Sequence, residues 1–320
     1  MLESSAPRTK PQRRSSKRWL SRKRSRQLWA YLFILPQLLL VAGFTLYPIV
    51  MTHVYSFYDW PGFGPLENFV GWYNYLEVIN DPLFWNAFRK SLIFMAGTVA
   101  LQLPLALFIA LLLNNERLYG RTLYRTLIFI PVVTTSAVIG IIMRAIFATQ
   151  GGVVNEGLLL INAIERPIRW LAQGDTAMLA LVLVASWKWL GIKMVMWLAG
   201  LQSLPQELYD AAKVDGANAL QTFRFITVPL LIPVGVVVLL FSIVDALTAF
   251  DLIFTMTGGG PGFSTEMMEL YIYRYAFTSF AGGIPQLGFA SAAGVFFGLT
   301  VFLISLALGI LARRTRQMRG

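Results

Sequence analysis

From Gln27 to Tyr58 the chain contains no Asp, Glu, Lys or Arg. A run that long leaves few solutions in water, but it suits a lipid bilayer. A helix rises about 1.5 Å per residue, so about 20 apolar residues cross a hydrocarbon core of about 30 Å. Ser91 to Asn115 and Thr126 to Met143 are equally free of charge. These runs predict spans at roughly 28–52, 91–113 and 126–148, the third ending around Arg144. Three more are expected at 176–200, holding Lys188 and Lys193, at 226–256, holding Asp245 and Asp251, and at 286–311. Lipid offers the backbone no hydrogen bonds, so each span should be helical. The expected fold class is an all-α polytopic membrane protein with six transmembrane helices.

Composition narrows the chemistry. Hydrophobic residues make up 56% of the chain and charged residues only 13%, too few for the surface of a soluble domain of this length. There is no cysteine, which excludes a disulfide framework, a thiolate nucleophile and a Cys-based metal site. The single histidine, His53, excludes a multi-His metal site and reads as structural or interfacial at the outer end of the first span. No Gly-Lys-Ser or Gly-Lys-Thr occurs, so the phosphate-binding loop of ATPases is absent.

Basic residues set the orientation. Arg8, Lys10, Arg13, Arg14, Lys17, Arg18, Arg22, Lys23, Arg24 and Arg26 crowd the N-terminal tail. Arg117, Arg121, Arg125, Lys213, Arg224, Arg313, Arg314, Arg316 and Arg319 fall on the same predicted side, against Arg89, Lys90, Arg166, Arg169 and Arg274 on the other. Nineteen against five places both termini and the 201–225 loop in the cytoplasm. Residues 1–27 read as a disordered basic tail near anionic headgroups, and 313–320 as a basic C-terminus. Nucleic-acid binding is not expected, because no reading module accompanies the charge. The first apolar run is too long for a signal peptide and lacks a cleavage site.

One polar segment interrupts this pattern, from Glu207 to Pro233. Ser203 with Gln206 reads as a capping box opening a short helix, and Gly216 as its left-handed stop. Asn218 with Gln221 is placed to cap a second helix, and Pro229 and Pro233 should disturb the start of the next span. Tyr209, Ala211, Ala212 and Val214 then form a small-residue knuckle suited to another protein's groove, although an ordinary helical hairpin has the same signals.

Asp210-Ala211-Ala212, Asp215-Gly216-Ala217 and then Ile226, Val228 and Pro229 resemble the cytoplasmic coupling loop of bacterial ABC importer permeases. That family's pattern is Glu-Ala-Ala, three residues, Gly, nine residues, Ile, one residue, an aliphatic residue and Pro, and the spacing matches. Asp210 stands where the family usually has Glu. Leu46 to Trp60, Asn68 to Phe88 and Phe250 to Thr265 also resemble the maltose-type sugar permease branch, so the likeness runs from about Leu35 to the last span. It implies a type I importer permease domain over 28–312, in a bacterial or archaeal cell (inner) membrane. It further implies a second permease subunit, two cytoplasmic ATPase subunits that bind ATP and Mg, and an extracytoplasmic substrate-binding protein docking on the outer loops. The chain itself would bind no cofactor and catalyse no reaction. Its coupling residues would be Tyr209, Asp210, Ala211, Ala212, Asp215, Gly216 and Pro229.

Charges inside spans are functional candidates by default. Lys188, flanked by Trp187 and Trp189, and Asp245 lie near the middle of the fourth and fifth spans. They are expected either to pair and neutralise each other or to line a polar sugar path. Counted back from the coupling motif, the family's sugar-contacting positions correspond to Lys188, Trp189, Ile192, Ser242, Asp245, Ala246 and Ala249. Lys193 is expected to snorkel towards the cytoplasm, and Asp251 to meet water near the outer end. Outside, Trp60, Trp72, Tyr73, Tyr75, Phe84 and Trp85 suit the headgroup level, and Gly258-Gly259-Gly260-Pro261-Gly262 reads as a turn.

The resemblance thus implies an ATP-driven importer of a sugar or sugar derivative. Import of a glycerol phosphate or polyol, a secondary carrier, and a membrane enzyme stand as alternatives, the last weakened by the lack of a catalytic constellation.

Overall fold

The computed structural model describes residues 16–278 and 283–317, with side chains for 27–278 and 283–310. Among the described residues there is no strand, only one antiparallel bridge between Tyr58 and Phe69. The chain divides into two units, Met1–Thr52 and His53–Gly320.

In the first unit α1 (Ser16–Val41) continues through a π turn at Ala42–Leu46 into α2 (Tyr47–Tyr55). Pro48 explains the π turn. Its ring has no N–H and would collide with the carbonyl one turn back, so the helix widens and Tyr47 N–H donates to Ala42 O instead. The stretch 16–27, expected as part of a disordered tail, is helical from Ser16 onward. The rest of that tail expectation lies outside the described residues.

The second unit takes in the end of α2 from His53, then α3 (Tyr73–Asn80) and α4 (Pro82–Asn114). Asp81 opens α4 by accepting the Leu83 N–H at 2.8 Å, with Pro82 in the first turn where no donor is needed. At about 1.5 Å per residue the 33 residues of α4 are longer than a hydrocarbon core of about 30 Å. Two shorter helices follow, α5 (Arg121–Val133) and α6 (Ser136–Ile146), then α7 (Val153–Leu160). The third span is therefore not one straight helix over 126–148: α5 and α6 meet at 98°. Pro131 withholds a backbone donor there, and Thr134 and Thr135 are extended. Arg125 ties the base of α5 to the end of α4 by donating to Leu113 O at 2.7 Å.

The fourth span is α8 (Gly174–Gln202), the most buried of the apolar helices. It packs chiefly on α4, where Gly97 lets Val182 approach and Gln102 donates to Ser186 O at 3.4 Å. After it come α9 (Gln206–Val214) and α10 (Ala219–Thr222). A second π turn at Phe223–Thr227 leads into α11 (Val228–Leu247), with Pro229 in its first turn and the same cause as at Pro48. The fifth apolar helix thus runs over Ala219–Leu247, and the expected 226–256 helix is broken at Thr248-Ala249. Beyond the break stand α12 (Phe250–Met256), α13 (Met268–Phe277) and α14 (Leu287–Gln317). The core falls into clusters around Leu181 and Ile253, around Phe84 and Tyr271, and around Met194 and Leu231.

Candidate functional site

Two regions gather the residues singled out in the sequence. The first is the polar loop after α8. Its helix α9 does not open with a Ser203–Gln206 box: Pro205 is the N-cap without a side-chain bond, and the Ser203 hydroxyl donates back to Gly200 O at 2.7 Å, closing α8. The Leu208 N–H instead turns back to Pro205 O at 3.4 Å. The end of α9 follows the sequence. Gly216 has φ +75°, Gly216 N–H donates to Lys213 O at 3.1 Å, and Ala217 N–H reaches Ala212 O at 2.9 Å, a Schellman closure. Asn218 and Gln221 then form a reciprocal capping box for α10 at 2.8 and 2.9 Å.

Within this loop Tyr209 reaches back to Thr227 at 3.1 Å, pinning α9 to the π turn below α11. Asp210 pairs with Lys213 at 2.9 Å, one turn along the same helix, which holds its carboxyl below the usual carboxylate range. Asp215 and Pro229 are exposed. The expected knuckle is split: Ala211 is exposed, whereas Ala212 is 6% exposed and faces the chain's own interior. Val214, the last residue of that knuckle, is also presented outward, together with the apolar side chains of Leu208, Leu220 and Phe225. The sequence did not mark Leu208, Leu220 and Phe225, because their exposure depends on which face of each short helix turns towards α8 and α11.

The second region lies between α8 and α11. Lys188 does not meet Asp245. Lys193 does, at 2.5 Å, and it is buried rather than snorkelling. The two lysines are five residues apart, about 140° around a helix, so only one can face α11. Lys188 instead donates to Thr134 O at 2.9 Å and lies 4.2 Å from the Trp189 ring centre. Ser242 is buried and donates to Val238 O at 2.9 Å, and Ala246 belongs to the core. Trp189, Ile192 and Ala249 are half-buried. So of these positions α8 and α11 join Asp245 to Lys193, and Lys188 is held by the end of α5.

On the predicted outer side the glycine turn is present: Gly258, Gly259 and Gly262 all have positive φ. A Cβ on Gly259 would press on Leu270 at 2.8 Å, so the turn folds tightly over α13. Glu266 pairs with Arg274 at 3.0 Å, and Asp81 accepts from Tyr271 at 2.5 Å and Tyr275 at 3.3 Å. Burial pushes Glu266 up and Tyr275 up to about 12. Sequence reasoning missed Glu269, which accepts the Phe250 N–H at 2.8 Å and so caps α12 just past the α11 break. Burial pushes its carboxyl up to about 7. A lone Glu nineteen residues from its partner carries no local signal. Asp251 is exposed, as its position near the outer end implied.

The sequence profile of the family described as "Binding-protein-dependent transport system inner membrane component" matches residues 102–317. Among curated proteins the chain is 34% identical to the lactose transport system permease protein LacF of Rhizobium radiobacter, over 93% of this chain and 98% of that one. It is 33% identical to the arabinooligosaccharides transport system permease protein AraP of Bacillus subtilis, over 88% of each. It is 36% identical to the trehalose/maltose transport system permease protein MalF of Thermococcus litoralis, over 77% of this chain and 82% of that one. Among solved structures, a chain of a bacterial ABC transporter involved in the import of the acidic polysaccharide alginate superposes with a TM-score of 0.78 at 23% identity, covering 93% of this chain and 99% of that one. A second structure of a bacterial alginate transporter, in complex with an alginate pentasaccharide-bound periplasmic protein, gives the same TM-score.

Proposed function

The chain belongs to the family of binding-protein-dependent transport system inner membrane components, and from that membership we propose that it carries a sugar or oligosaccharide inward, with the Gln206–Val214 helix as the part a partner ATPase pushes. Membership makes the chain the membrane permease of an ABC importer and not its ATPase, which sets aside the secondary-carrier and membrane-enzyme readings. The sugar class rests on the relatives that transport lactose, arabinooligosaccharides, and trehalose or maltose.

One observation supports the coupling role above all. The short helix α9 is closed at Gly216, pinned by Tyr209 to Thr227, and presents Ala211 and Val214 outward. Such an element transmits a push into α8 and α11 without melting. We place it, with both termini, in the cytoplasm. A second permease and two ATPases holding ATP and Mg complete the assembly, and a binding protein delivers sugar to the outer loops. ATP-driven closure supplies the differential free energy that shifts the inward–outward equilibrium. Lys193, Asp245 and the nearby Trp189 and Ile192 border the path.

Reconstitution tests this. With its partner permease, ATPase and binding protein in proteoliposomes, the chain should support ATP-dependent uptake of a radiolabelled oligosaccharide. ATP hydrolysis that never responds to loaded binding protein, with no uptake, would reject the reading. The chain has no cysteine, so single cysteines at Asn218 and Gly64 report orientation. Only the second should react with an impermeant reagent applied outside.

A further inference from the structure

The two halves of the third span are fastened to different neighbours. α5 lies so close to α8 that a Cβ on Gly191 would meet Ile128 O at 2.6 Å and Phe129 Cα at 2.8 Å. α6 lies against α12, where a Cβ on Gly140 would overlap the Thr255 hydroxyl and approach Leu252 O to 3.1 Å. Between them the chain turns through 98° at Thr134-Thr135. A break inside a bilayer leaves carbonyls at a helix end that no water satisfies.

Lys188 answers that need. Its ammonium is 2.9 Å from Thr134 O and 3.5 Å from Pro131 O, and it sits over the Trp189 ring. The residue is 1% exposed, and among the described residues no carboxylate pairs with it. Its charge is met by the negative end of α5 and by a π face. One acceptor is close and the other is distant. An ammonium with three donors on a flexible stem can exchange them while staying satisfied.

We propose that the Thr134-Thr135 break is the hinge on which the halves of the third span turn during transport, and that Lys188 is its positioning residue. The hinge rests on the importer reading only in needing a cycle to move in. One half follows α8 and the other follows α12, and Lys188 sets the angle between them by choosing which α5 carbonyl it holds.

The test uses the assembled transporter, with nitroxides at Tyr124 on α5 and Ile141 on α6, and measures their separation with and without bound ATP. The unaltered transporter should show two distinct distances. Lys188→Met should give one broad distribution in both states. Its maximal uptake rate should fall about tenfold at an unchanged half-saturating sugar concentration, since only the coupling between states is weakened. If Lys188→Met does not assemble, Lys188→Gln, which keeps one amide donor, is read in the same way. Two sharp distances in the variant, or a single one in the unaltered transporter, would overturn the hinge. A nucleotide-dependent shift without sugar uptake would instead reject the sugar reading and leave the hinge standing.

Discussion

Lys193 Nζ lies 2.5 Å from Asp245 Oδ2 across the α8–α11 interface, with the lysine side chain 2% exposed and the aspartate 34%. The pair is sealed at one end and open at the other. Removing one partner of a fully buried pair costs about 3–5 kcal/mol, and the exposure of Asp245 reduces that to about 1–3 kcal/mol after screening. Asp245→Asn and Lys193→Met should each lower the melting temperature of the assembled transporter. Lys193→Met with Asp245→Leu should recover most of the loss, because neither charge is left stranded. Losses that simply add in the double variant would show that the two residues are not coupled.

Gly216 ends α9 at φ +75° with open space where a Cβ would stand. The penalty for a side chain is therefore backbone strain and not collision. Gly216→Ala should cost roughly 1–2 kcal/mol of local stability, Gly216→Asn less, and Gly216→Val more. All three should insert normally. Binding-protein-stimulated ATP hydrolysis should fall in the order Asn, Ala, Val. Equal stimulation in all three would show that the left-handed stop is irrelevant to coupling.

Ala211 and Ala212 are neighbours with opposite surroundings, one exposed and one buried. Ala211→Trp should keep the loop intact yet weaken retention of the ATPase during purification. Ala212→Trp should overpack the loop's own interior, at a cost of about 1–3 kcal/mol, and should raise protease cleavage near Asn218. The idea that the outward face of α9 docks the ATPase fails if Ala211→Trp retains it fully.

Glu269 gives the outer region a pH dependence of definite sign. Burial, opposed by the Phe250 N–H and reinforced by Asp251, raises its carboxyl from about 4.5 to about 7. In that window the folded chain holds a proton that the unfolded chain has released. Stability therefore falls as pH rises from about 4.5 to 7, by at most about 3 kcal/mol. Melting curves between pH 5 and 8 should show this slope, and Glu269→Gln should flatten it. An unchanged slope in Glu269→Gln would assign it to other groups.

What the sequence determined is what nearest neighbours in the chain decide. Charge-free runs mark apolar helices because the solvent choice is made segment by segment. The Gly216 stop and the Asn218–Gln221 cap are legible because their hydrogen bonds span only a few residues. Pro229 announces the disturbed start of α11 for the same reason. The family likeness reads from those local motifs too. Only the tertiary structure decided which lysine faces Asp245, since the residues of α8 point around a full circle and the sequence does not say where α11 lies. It also divided the third span at Thr134 and the fifth at Thr248, turned Ala212 inward beside an outward Ala211, and brought Glu269 to the start of α12. Each of these depends on contacts between segments far apart in the chain, whose geometry is fixed by how whole helices pack.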